Sequence, residues 1–94
     1  MDETRLKRII FRAWRRGFRE ADLIFGPFAE TYGPTLDDRS LDNLEALLDQ
    51  PDQDVYDWIT ERRETPAQFE TSVLSQLRAF KRALPIASGD LSGS

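Results

Sequence analysis

Phe11-Arg12-Ala13-Trp14-Arg15-Arg16-Gly17-Phe18-Arg19-Glu20-Ala21-Asp22-Leu23 is a basic, helix-like run broken by one glycine and followed by a carboxylate. Glycine in a helix interior costs roughly 1 kcal/mol relative to alanine. Gly17 therefore falls where one amphipathic segment ends and the next begins. A glycine there ends a helix in a left-handed turn or lets another backbone come close. Arg16 and Glu20, on either side of it, are expected to project from a tight helix–helix corner. The corner reads as a docking surface because arginine and aromatic residues dominate binding hot spots. On residue types alone, Arg16 and Glu20 could equally be an exposed ion pair worth at most about 1 kcal/mol, and Trp14 and Phe18 could be core.

Working outward from Gly17, helical spacing divides the chain into five stretches and leaves no β-alternation. The first, roughly residues 4–16, carries Leu6, Ile9, Ile10, Ala13 and Trp14 on one face. The second, roughly 18–32, carries Ala21, Ile24, Phe25, Phe28 and Tyr32. Gly26-Pro27 interrupts it and predicts a bend or a restart at Pro27, and Gly33-Pro34 stops it. The third, roughly 36–49, opens on Thr35 and Asp38, an approximate capping box, and carries Leu41, Leu44, Leu47 and Leu48. The fourth, roughly 52–61, follows Pro51 and carries Val55, Trp58 and Ile59. The fifth, roughly 66–83, opens on Thr65-Pro66-Ala67-Gln68 and carries Phe69, Val73, Leu77, Phe80 and Leu84, with Pro85 ending it. Short loops between amphipathic helices predict an all-α, compact five-helix bundle spanning residues 1–87, with a disordered Gly/Ser-rich tail over 88–94.

Composition narrows the function. A chain of 94 residues is one domain by default, and a domain of this size buries only about 60–65% of its unfolded surface, which leaves little room for a deep cavity. The chain has no Cys and no His. That excludes a disulfide framework and thiol or imidazole catalysis, and leaves the chain unable to accept a covalent cofactor on its own imidazole. No apolar run approaches the roughly 20 residues of a membrane span. Met1-Asp2-Glu3 leads directly into the first periodic segment, so no signal or transit peptide is expected.

Charge is uneven. Residues 1–19 hold seven Arg/Lys and two acids, a net of +5, and with a total of −4 the remainder carries −9. A basic end suggests a polyanion, but the acidic body would repel nucleic acid. Asp49, Asp52, Asp54 and Asp57 suggest a cation site, yet the run lacks the turn glycine and closing glutamate of an EF-hand loop. Asp52 and Asp54 read instead as N-terminal caps of the fourth helix. No nucleophile–base pair, phosphate loop or nucleotide fingerprint occurs. Glu20 and Asp22 lie two apart on a helix and do not face each other.

Arg16-Gly17-Phe18-Arg19-Glu20 matches an Arg-Gly-x-x-Glu element. Around it lie Trp14-Arg15-Arg16-Gly17, Glu20-x-Asp22-Leu23 and Gly26-x-Phe28-Ala29. A second block runs from Leu47-Leu48-Asp49-Gln50-Pro51-Asp52-Gln53-Asp54 to Trp58-Ile59. On these two blocks, over roughly residues 5–84, the chain resembles the SdhE-type succinate dehydrogenase assembly factors, also called FAD assembly or flavinylation factors. Pro27 departs from that family's smooth second helix. The resemblance implies a five-helix bundle that binds the flavoprotein subunit of succinate dehydrogenase, or of the related fumarate reductase. It implies help with covalent attachment of FAD to a client histidine. Such a factor is chaperone-like and not an enzyme. The FAD concerned is the client's, no cofactor or metal is held stably, and the factor is a monomer when free. The implied partner-binding residues are Arg15, Arg16, Gly17, Phe18, Arg19 and Glu20. A bacterial cytoplasm is the expected compartment, or a mitochondrial matrix if a presequence has been removed. The alternative is a small helical nucleic-acid-binding or adaptor protein using the basic N-terminal face.

Overall fold

The computed structural model describes residues 3–84. The boundary expected at residue 87, the tail 88–94 and the Pro85 stop lie outside the described residues. Within them the chain forms five α-helices and two short 3-10 turns, and no strand. The helices are α1 (Glu3–Ala13), α2 (Arg19–Tyr32), α3 (Asp38–Leu48), α4 (Asp52–Ile59) and α5 (Ser72–Ala83). The all-α five-helix bundle expected from the sequence is the architecture found.

Each stripe buries against its neighbours. Ile9 and Ala13 of α1 meet Ala21, Ile24, Phe25, Phe28 and Ala29 of α2, and Leu41, Leu44, Leu47 and Leu48 of α3 join Val55, Trp58 and Ile59 of α4. Val73, Leu74 and Leu77 of α5 complete one continuous core. Each large side chain placed there contributes roughly 1.5–3 kcal/mol relative to exposure. Two members of the expected stripes behave differently. Trp14 is 38% exposed and Tyr32 is 40% exposed. Tyr32 closes an aromatic cluster with Phe28 and Phe80, with ring centroids 5.2–5.8 Å apart, beside a shallow groove on α5.

Several boundaries differ from the sequence expectation, for local reasons. α1 ends at Ala13 rather than near residue 16, because Gly17 adopts φ +125° and the chain has already left the helix to reach it. α2 runs through Pro27 without a break. Gly26 is closely packed: a Cβ there would overlap the Trp14 indole, which donates from Nε1 to Glu30 at 2.8 Å. The cap of α3 is Asp37, whose carboxylate accepts from the Ser40 N–H at 2.8 Å, while the Thr35 hydroxyl donates to the Tyr32 carbonyl. That hydrogen bond holds the Asp37 carboxyl below its ordinary value. α5 begins at Ser72 under a Thr71 cap. Residues 67–69 form only a 3-10 turn, and Thr65 instead accepts from Arg78 at 2.8 Å. Arg78 also reaches Glu70 and the Trp58 carbonyl, and so fastens the long α4–α5 connection to α5.

Candidate functional site

Residues 14–20 form the corner between α1 and α2. The Arg16 backbone N–H donates to the Asp22 carboxylate at 2.6 Å, so the first turn of α2 reaches back and fixes the connection. Gly17 follows at φ +125°, a conformation that side-chain-bearing residues rarely adopt. Phe18 is extended at φ −146° and begins α2, with its ring edge-on to Tyr56 of α4, centroids 5.3 Å apart.

Arg16 does not project. It is 8% exposed, the one buried charged residue among those described. Its guanidinium turns inward to the α3–α4 connection. There it donates to the carbonyls of Leu48 and Gln50 and pairs with Asp52 at 2.7 Å. The group lies over the Phe25 ring, and its Nε, also buried, has no acceptor. Desolvation is the largest influence on its pKa and lowers it, partly opposed by Asp52. The expected outward pose of Arg16 is thus corrected, as is the alternative of an exposed pair with Glu20. The planar fork fits two converging carbonyls and a carboxylate.

Asp52 and Asp54 are corrected likewise. Both lie in the first turn of α4, where the dipole favours them, but α4 has no side-chain cap. Asp52 goes to Arg16, and Asp54 goes to Arg63 at 2.6 Å. Among the described residues no group of three His, Cys, Asp or Glu is gathered in a way that could hold a metal ion.

The six residues expected to bind a partner therefore divide. Arg15, Arg19 and Glu20 are exposed, and none of them has an ion pair among the described residues. Gly17 is exposed along its backbone. Arg16 and the half-buried Phe18 hold the corner from beneath. Sequence reasoning missed the supporting residues Asp22 and Asp52 and the role of Phe11. Phe11 is 59% exposed, with the Arg15 guanidinium stacked 4.4 Å from its ring centre. Asp52 stands in the second sequence block, which the fold brings against the Arg-Gly element.

The corner thus carries exposed cations and an aromatic on a small helical bundle. No helix among the described residues is long and apolar enough to cross a membrane. Residues 7–81 match the family described as flavinator of succinate dehydrogenase, and the chain belongs to that family. Its similarity extends to proteins named "Succinate dehydrogenase assembly factor 2, mitochondrial". It is 39% identical over 70 residues to that of Mycosarcoma maydis, covering 74% of this chain and 29% of the relative. It is 38% identical over 68 residues to that of Dictyostelium discoideum, covering 72% and 48%. The "FAD assembly factor SdhE" of Acetobacter pasteurianus is 33% identical over 74 residues, covering 79% and 68%. The matched stretch thus spans less than half the length of the two mitochondrial relatives.

Proposed function

We propose that this chain is an assembly factor that binds the flavoprotein subunit of succinate dehydrogenase, or of fumarate reductase, and promotes covalent attachment of FAD to a histidine of that client. Family membership supports the class. The observation that carries the reading is the build of the corner. Arg16, Asp22 and Asp52 fix Gly17 in place, and this presents Arg15, Arg19 and Glu20 outward as one preorganised unit. Preorganisation of this kind lowers the ordering cost of association.

Attachment requires the client histidine and the flavin ring to be held together while charge develops on the ring. A protein that binds one arrangement of the client better than others raises the population of that arrangement, and correct positioning can lower a barrier by several kcal/mol. The bond forms in the client, because this chain has no histidine to offer. The flavin stays with the client as well. The factor acts as a monomer in the compartment where the client is assembled, a bacterial cytoplasm or a mitochondrial matrix.

The test is to incubate purified, non-covalently FAD-loaded flavoprotein subunit with and without the factor. Flavin fluorescence retained by the denatured client then reports attachment. The wild-type chain raises the rate, and Glu20→Ala with unchanged melting loses most of that effect. No acceleration by the wild-type chain would refute the proposal.

A further inference from the structure

Helix α2 starts without a side-chain cap. Its N-cap position, where Ser, Thr, Asp or Asn would bond a free N–H of the first turn, is held by Phe18 in an extended conformation, φ −146° and ψ 155°. An uncapped first turn frays unless something else holds it. Arg19 and Glu20 open that turn, and both are exposed. Their placement depends on what anchors Phe18. The anchor is Tyr56 of α4. The two rings meet edge to face, with planes at 78° and centroids 5.3 Å apart, and both are partly buried against the core.

Tyr56 lies one turn along α4 from Asp52, which pairs with Arg16 at 2.7 Å and fills the space beside Gly17. α4 thus meets the corner at two points, a carboxylate under residues 16 and 17 and a ring under residue 18. The far end of α4 is itself held. Trp58 stacks on Phe69 at 5.1 Å, the Trp58 carbonyl accepts from Arg78, and Arg63 pairs with Asp54 and Asp57.

Resting on the proposed function above, we propose that Tyr56 is a positioning residue for client binding: it acts through Phe18, fixing the uncapped start of α2 and with it the direction of Arg19 and Glu20. The Asp52 pair cannot do this alone. It holds Arg16, before the glycine, and the torsional freedom of glycine lets the chain beyond it turn. Asp22 ties α2 back to residue 16 through one hydrogen bond, and a single bond leaves the helix free to swing about it. The Phe18–Tyr56 pair supplies the second point. It draws on the ring quadrupole, which phenylalanine shares with tyrosine, so the Tyr56 hydroxyl is dispensable.

Binding of the purified flavoprotein subunit, and the rate of FAD attachment at saturating factor, are measured for the wild-type chain, Tyr56→Ala, Tyr56→Phe, Phe18→Ala, Phe18→Ala/Tyr56→Ala and Glu20→Ala. Phe69→Ala is the control, since it removes the aromatic pair at the other end of α4. Circular dichroism and melting check that each is folded, and Tyr56→Leu replaces Tyr56→Ala should the latter melt below the assay temperature. Tyr56→Ala is expected to weaken binding by roughly three- to tenfold, the factor that an aromatic pair corresponds to, with the saturated rate kept. Tyr56→Phe should bind within twofold of wild type. Phe69→Ala should bind as wild type although its melting temperature falls. In the Phe18→Ala background Tyr56→Ala should have no further effect. In the free chain, Tyr56→Ala should speed hydrogen exchange at the Arg16 and Asp22 amides relative to those of α5, and Phe69→Ala should not. If Tyr56→Ala binds within twofold of wild type while Glu20→Ala is weakened, the positioning role is wrong and the corner stands. The role is also overturned if Tyr56→Phe is as weak as Tyr56→Ala, or if Tyr56→Ala costs as much without the Phe18 ring as with it. If the wild-type chain does not bind the subunit, both readings fall together.

Discussion

The carboxylate of Asp52 occupies the space that a side chain on Gly17 would need, and the same carboxylate closes the ion pair with Arg16. Two separate requirements for glycine therefore meet at residue 17. One is the positive φ, which costs a side-chain-bearing residue about 1–3 kcal/mol. The other is the overlap with Asp52. Gly17→Ala should be destabilised by both. Asp52→Ala removes only the second, so in a double-mutant cycle the pair should be less destabilised than the sum of the singles. Strict additivity in urea unfolding would show that Asp52 moves aside freely.

Arg16→Lys should not preserve the corner. Lysine is a point charge and cannot make the two-carbonyl fork that closes on Leu48 and Gln50. Hydrogen bonds from a charged group contribute about 1.5–3 kcal/mol each. A loss of roughly 2 kcal/mol or more in urea unfolding is expected for Arg16→Lys, with Arg16→Met at least as damaging. A fully stable Arg16→Lys would contradict the clasp.

Gly26→Ala should displace Trp14. Helix propensity favours the alanine by about 1 kcal/mol, but its methyl would lie inside the indole. In a Trp58→Phe background, so that Trp14 alone emits, the variant should show red-shifted fluorescence and a weaker contact between α1 and α2. Unchanged emission would mean that the indole does not rest on residue 26.

Asp37 sets a pH-dependent difference. Its carboxyl is held below the ordinary value of 3.8 by the Ser40 N–H, then by the nearby Ser40 side chain. A carboxyl whose folded pKa is depressed stabilises fully above its unfolded pKa and loses that contribution as pH falls through the folded value. Wild type should therefore outlast Asp37→Ala at pH 6–7, and the gap should narrow below about pH 4. A gap that widens in acid would reverse the assignment.

Apolar spacing made the helix count and most of the core legible in advance. Leu41, Leu44, Leu47, Leu48, Val55, Trp58 and Ile59 are all buried as their periodicity implies. Caps were less legible, because several Thr and Asp residues compete near each start and backbone geometry chooses among them, as with Asp37 over Thr35 and Thr71 over Thr65. The corner was found through Gly17. The direction of Arg16 was not, because its acceptors are two carbonyls and a carboxylate more than thirty residues away, and local spacing carries no trace of them. The close packing of Gly26 was missed for the same reason. The residue that needs it small is Trp14, in the corner beyond the end of α1.

The Arg16 clasp can also be regarded as a non-covalent cross-link. It joins residue 16 to residues 48 and 50 and so closes a loop containing the whole of α2 and α3. Closing a loop of that length removes several kcal/mol of chain freedom when the link is permanent; a reversible link does so only while it holds. The corner and the α3–α4 connection should thus open together. Their amides should exchange hydrogen at a common rate, distinct from that of α5, and a client that grips the corner should slow exchange at Leu48 and Gln50 without touching them.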